Sequence, residues 1–233
     1  MTTAEKIEKR LKALGNKTAA EHARRFFKTD PGQYGEGDLF LGITAPVLRT
    51  VAKEHRDISL DDAVELLQSP LHEARMLALF IMVLQYKRGE NQPAIYRAYL
   101  ANTHQINNWD LVDCSAAQIV GAQLFARDRK PLTRLAKSKI LWERRIAIIA
   151  TFYFIRRNQF DDTLAIAGLL LNDKEDLMHK AVGWMLREVG KRDLKVEEDF
   201  LLPHYKQMPR TLLRYAIERF SEPKRLAYLK GWA

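Results

Sequence analysis

Trp109 and Asp113 stand four residues apart in the stretch Asn107-Asn108-Trp109-Asp110-Leu111-Val112-Asp113-Cys114. On a helix, that spacing sets an indole and a carboxylate side by side on one face. Such a pair suits the stabilisation of positive charge. The carboxylate opposes a developing cation directly, and the indole does so through the negative face of its ring. Asp110 needs no such role, because Asn108 reads as an N-cap and an acid in the first turn is favoured by the helix dipole. Asp113 lies deeper, beside Cys114, Ala116 and Ala117, which turn toward a core. Spacing alone leaves it as either a charge-stabilising carboxylate or the ion-pair partner of an arginine from the next repeat.

A second constellation surrounds Trp184. Lys180, Trp184, Arg187 and Lys191 follow one another at intervals of four, three and four, so all four share one stripe of a helix. Three cations flanking an indole suit a polyanion whose phosphates are held while a sugar or base meets the ring. Trp142 and Arg145 also share a face, although closing a core is the commoner job for a tryptophan at a helix start. Other chemistries find no support. The six histidines are scattered without metal-ligand spacing, which predicts no structural zinc. Cys114, the single cysteine, has no evident histidine partner and reads as a small buried hydrophobe. The glycine-rich segment Asp30 to Asp38, DPGQYGEGD, lacks the Gly-Lys-Ser/Thr end of a nucleotide loop and reads as an ordered connection that could also touch a partner.

Helices must position these residues, since apolar spacing is helical almost throughout and no alternating run insists on a strand. Thr18 to Glu21 and Ser59 to Asp62 look like N-caps, and Pro46, Pro70, Pro131 and Pro209 each fit a first helical turn. Roughly twelve to fourteen short helices result. Arg75 precedes Ala78, Arg144 precedes Ala147 and Lys180 precedes Gly183, in each case by three residues. The intervals between these pairs approximate two periods and one period of about 35 residues, the length of a helical-hairpin repeat. The expected architecture is therefore all-α, an α-solenoid of HEAT-like repeats over residues 1–233 as one domain, curved with a basic concave face. A compact helical bundle is the alternative.

Charge supports a polyanionic partner. Residues 1 to 116 hold 15 Lys or Arg against 15 Asp or Glu, whereas residues 117 to 233 hold 23 against 14. Residues 127 to 157 alone carry ten basic side chains and two acidic ones, a density that recruits nucleic acid. A basic face solvated without a partner is the plainer reading. The lone cysteine and the absence of a charged-then-apolar leader after Met1 suggest a cytoplasmic protein, and apolar runs such as Ile146 to Ile155 are too short to span a bilayer.

Three blocks in this order, LFLGITAPVLR at 39–49, NWDLVD at 108–113 with WERR at 142–145, and AVGWMLRE at 181–188, resemble the bacterial DNA alkylation repair family, the AlkD-type DNA glycosylases built from HEAT-like repeats. MPRTLLRYAIERF at 208–220 extends the similarity to nearly the whole chain. The resemblance implies a monomeric, cofactor-free DNA glycosylase that removes cationic N3- or N7-alkylated purines from double-stranded DNA. It implies catalytic roles for Trp109, Asp113 and Trp184. It makes Arg145 and Arg187 DNA contacts, and Lys180 and Lys191 of the Trp184 stripe and Arg144 of the basic stretch are expected to join them. A helical-repeat module that binds nucleic acid without breaking a bond is the alternative. The segment Thr29 to Asp38 is longer than in familiar glycosylases of this kind, and Arg25, Phe26 and Tyr34 compete for the place of a helical aromatic that reaches the site there.

Overall fold

The computed structural model describes residues 1–233 and is all-helical, apart from one isolated β-bridge between Leu39 and Leu71. The helices gather into two compact units, Met1–Ile119 and Val120–Ala233. The boundary between them falls within the π-helical turn Ala117–Gly121.

The first unit contains α1 (Thr3–Leu14), α2 (Lys17–Phe26), α3 (Ala45–Glu54), α4 (Leu60–Leu67), α5 (His72–Lys87), α6 (Gln92–Ala101) and α7 (Trp109–Asp113). Its axis is α5. That helix is apolar on nearly every side, as a helix surrounded by others must be, and it packs against α1, α3, α4, α6 and α7. By contrast α1 buries only the stripe Ala4, Ile7 and Leu11. Leu77, Leu79, Ile81 and Met82 of α5 are wholly buried. Each contributes roughly 1.5–3 kcal/mol relative to exposure, so this one helix orders the unit.

The second unit contains α8 (Ala122–Leu124), α9 (Lys130–Ala136), α10 (Leu141–Ala150), α11 (Phe152–Ile155), α12 (Asp161–Leu170), α13 (Asp176–Gly190), α14 (Leu194–His204), α15 (Arg210–Ala216) and α16 (Glu222–Lys230). Here α10 and α13 are central and touch each other. Gly183 lets α13 approach α15 closely, since a Cβ at that position would lie 2.5 Å from the carbonyl oxygen of Leu212. The small residues picked out by the repeat, Ala78, Ala147 and Gly183, are all buried.

The repeat recurs in hydrogen bonds. Ser69 Oγ accepts from the Leu71 N–H at 3.2 Å and Ser138 Oγ from the Ile140 N–H at 3.0 Å. Asp173 accepts from the Glu175 N–H at 3.0 Å in the same i to i+2 sense. The arginine six residues on closes the turn, Arg75 onto the Ser69 carbonyl and Arg144 onto the Ser138 carbonyl. Periodicity in sequence is thus a recurring clasp at the start of α5 and α10.

Two local expectations shift. Ser59 caps α4 as its sequence suggests, but α2 is capped by Asn16, not Thr18, with the Asn16 side chain accepting from the Ala19 N–H at 2.9 Å. Asparagine is the stronger cap, and it moves the start two residues upstream. Pro46 and Pro131 occupy first turns, whereas Pro70 and Pro209 precede theirs. Just after Pro70 the chain is extended at Leu71, and the His72 N–H donates to the Leu39 carbonyl at 2.8 Å.

Candidate functional site

The extended segment after the glycine-rich loop is built onto the start of α5. The carboxylate of Glu73, buried, accepts from the backbone N–H groups of Leu41, Gly42 and Ile43 at 2.7 to 3.2 Å. Gly42 takes φ +78°, and a Cβ there would come within 2.4 Å of the Asn16 carbonyl oxygen, so the LFLGIT block needs glycine at this point. The same segment carries Asp38 and Phe40 to His72.

His72 is enclosed, and its two ring nitrogens reach Asp38 at 3.1 Å and Asp110 at 2.8 Å. Arg75, one turn further, donates to the other oxygen of Asp38 at 2.6 Å. Burial opposes the charge on His72, but the hydrogen bonds to Asp110 and Asp38 outweigh it and raise the imidazole from its ordinary 6.5 to about 9. At neutral pH both N–H groups therefore donate to carboxylates. Burial likewise works against the Asp38 carboxylate, yet its hydrogen bond to His72 and the Arg75 charge hold it below the usual range. Asp110 does more than its first-turn position suggests. One oxygen accepts from the Leu111 N–H at 2.8 Å, as the dipole argument requires, while the other pairs with His72.

Aromatic rings wall this network. Phe40 stacks on His72 with centroids 4.5 Å apart, Phe27 stacks on Phe40 at 5.1 Å, and Trp109 stacks on Phe27 at 5.4 Å. Phe26, 58% exposed, meets Trp109 edge-on at 5.9 Å. Of Arg25, Phe26 and Tyr34, which compete for the aromatic position, Phe26 thus meets Trp109. Phe26, Phe27, Phe40, His72 and Asp110 line a cavity of about 850 Å³.

Asp113 opens elsewhere, onto a cavity of about 320 Å³ lined also by Arg49, Lys53, Phe80, Lys87, Cys114 and Gln118. Arg49 lies over the Phe80 ring at 5.0 Å from its centroid. One carboxylate faces three cations here. The Cys114 thiol bonds the Leu111 carbonyl, and burial pushes its pKa well up, so it is no thiolate nucleophile at neutral pH.

In the second unit Trp184 and its stripe lie along α13 as their spacing requires, but their charges are matched by acids. Lys180 pairs with Asp176 at 2.7 Å, Lys191 with Glu188 at 2.6 Å, and Arg187 with Glu218. Glu188 also accepts from the Trp184 indole N–H at 3.1 Å. Arg144 is tied to Asp173 at 2.6 Å and to the Ser138 and Lys139 carbonyls, and Arg145 is buried and donates to the Leu177 carbonyl at 2.7 Å. These two arginines hold turns. No cluster of three or more His, Cys, Asp or Glu is placed to bind a metal ion, and no helix is long and apolar enough to cross a membrane.

The sequence matches the family of DNA alkylation repair enzymes over residues 7–220. No curated protein matches it. Among solved structures, one described as a predicted DNA alkylation repair enzyme from Enterococcus faecalis superposes with a TM-score of 0.71 at 18% identity, covering 89% of this chain and 97% of that one. At that identity the likeness establishes a shared fold. The chain belongs to the DNA alkylation repair family.

Proposed function

We propose, with that membership as premise, that this DNA repair protein is a glycosylase excising cationic N3- or N7-alkylated purines from duplex DNA. The observation that carries the reading is Asp113, the one acid in a cavity shared with Arg49, Lys53 and Lys87. Cations suit the phosphates on either side of a lesion, and a single carboxylate among them suits a centre that becomes positive.

An alkylated purine of this kind already carries positive charge and leaves without being protonated. Positive charge then accumulates on the deoxyribose, as in other glycosidic cleavages through an oxocarbenium-like state. In this reading Asp113 stabilises that state and aligns water for attack at the sugar carbon. Trp109, stacked on Phe27 and half-buried, offers its ring to the lesion side. Trp184 offers an equivalent face in the second unit, with Lys180, Arg187 and Lys191 beside it as backbone contacts. Arg144 and Arg145 act there by fixing the turns from which the helices start. The chain would act in the cytoplasm as a monomer without a metal or organic cofactor.

The test is release of free base from duplex DNA containing 7-methylguanine, followed under single-turnover conditions. Wild type is expected to release it, and Asp113→Asn to lower the rate by about 10²- to 10³-fold. Absence of release of both 7-methylguanine and 3-methyladenine by wild type overturns the activity. An unchanged rate in Asp113→Asn overturns the mechanism.

A further inference from the structure

Of the ten basic side chains between residues 127 and 157, several are already committed: Arg129 to Asp162, Arg144 to Asp173, and Arg145 to the Leu177 carbonyl. Arg156 and Arg157, just after α11, behave differently. Both are exposed, neither forms an ion pair, and each has its guanidinium carbon over a ring four residues earlier. Arg156 Cζ is 4.2 Å from the Phe152 centroid, and Arg157 Cζ is 3.5 Å from that of Tyr153. The Phe152 ring in turn meets Trp184, with centroids 5.8 Å apart. Phe125 backs the second pair, 5.6 Å from Tyr153 and 5.2 Å from the Arg157 guanidinium.

We infer that Arg156 and Arg157 form a paired phosphodiester clamp beside Trp184, gripping the sugar-phosphate backbone of duplex DNA through their guanidinium edges. This rests on the DNA-substrate reading above. A ring occupies the face of a guanidinium and leaves its N–H donors, which lie in the plane, pointing outward. Arg157 gives one of them to the Tyr153 carbonyl at 3.0 Å. The remaining edges match two phosphate oxygens each, the bidentate geometry that distinguishes arginine from lysine. Because the rings already restrict the side chains, less rotamer freedom remains to be lost on binding. Elsewhere in this basic stretch Arg134, Lys137 and Lys139 are exposed without such a backing.

The experiment is a salt titration of binding to a short, undamaged, fluorescently labelled duplex, alongside base release from the 7-methylguanine duplex. Replacing both residues with glutamine is expected to reduce the slope of log affinity against log salt by about 1.8, at about 0.9 per phosphate contact. Arg156→Lys is expected to keep the wild-type slope and lose affinity, since charge is retained and the fork is not. Lys195→Gln, at an exposed cation paired with Asp199 at 2.6 Å, is the control and should leave the slope unchanged. An unaltered slope in the double glutamine variant overturns the clamp, as does an equal fall in the control. Base release with an unaltered slope removes the clamp alone. Duplex binding without base release, with the slope falling as stated, removes the glycosylase reading and leaves the clamp standing. A wild-type protein that binds no duplex at low salt overturns both.

Discussion

The start of α5 and the outer face of α13 carry the same kinds of side chain, cations, acids and an indole nearby, yet they use them in opposite ways. Around His72 the charges are buried: Asp38, His72 and Arg75 are each about 4% exposed or less at the side chain, and the rings of Phe27 and Phe40 exclude water from them. Around Trp184 the lysine ends of the ion pairs lie open, with Lys180 and Lys191 about two-fifths exposed, while Arg187 is 16% and Glu188 14% exposed. The difference shows what each arrangement is good for. Buried charges that satisfy one another fix geometry and have little left for a ligand, whereas open pairs can exchange a protein carboxylate for a phosphate at small cost.

The largest test of that contrast is Asp38→Ala. It leaves buried Arg75 without its carboxylate and His72 with Asp110 alone, and should destabilise the first unit by about 3–5 kcal/mol in denaturant unfolding. A loss below about 1 kcal/mol, the range of exposed pairs, would erase the distinction. Next comes pH. His72 has a folded pKa of about 9 against 6.5 in the unfolded chain, so its stabilisation is complete below about pH 6.5 and is lost as pH rises through 9. The full effect is about 3 kcal/mol, from a raised pKa at 1.36 kcal/mol per unit. Thermal melts should therefore fall between pH 7 and 10, and His72→Gln should flatten that fall. Asp38 has the reverse sign: held below its usual range, it contributes at neutral pH and ceases to as acid protonates it. The smallest effect is Lys191→Ala, expected to change stability by no more than about 0.5 kcal/mol because the Lys191 end of its pair with Glu188 lies in solvent. A multi-kilocalorie loss there would make the two regions alike.

Much of this was legible in the sequence. Helical spacing sets Lys180, Trp184, Arg187 and Lys191 on one stripe, but Trp109 and Asp113, expected side by side, part within the short α7: the indole joins the Phe27 stack and the carboxylate lines the Arg49 cavity. The recurrence of Arg75 with Ala78 and Arg144 with Ala147 marks the clasps at Ser69 and Ser138. The network around His72 was not legible. Its partners lie 34 and 38 residues away, at intervals set by the fold and not by any local period. Asp110 was hidden for another reason, since capping accounts for one of its oxygens and leaves the second unexplained. The acids opposite the Trp184 stripe divide the same way. Glu188 is one helical turn from Trp184 and could have been read, while Glu218 reaches Arg187 from another element at a separation of 31 residues.

The loop at Leu41 to Ile43 presents three converging N–H groups, the kind of backbone nest that elsewhere receives a free anion. Glu73 already fills it. A guest attached to its host cannot be diluted away or competed off by ordinary concentrations of phosphate. The wall that bears Phe40 therefore keeps its shape at any ionic composition that leaves the chain folded, and the cavity beside it owes its outline to a ligand encoded in the sequence.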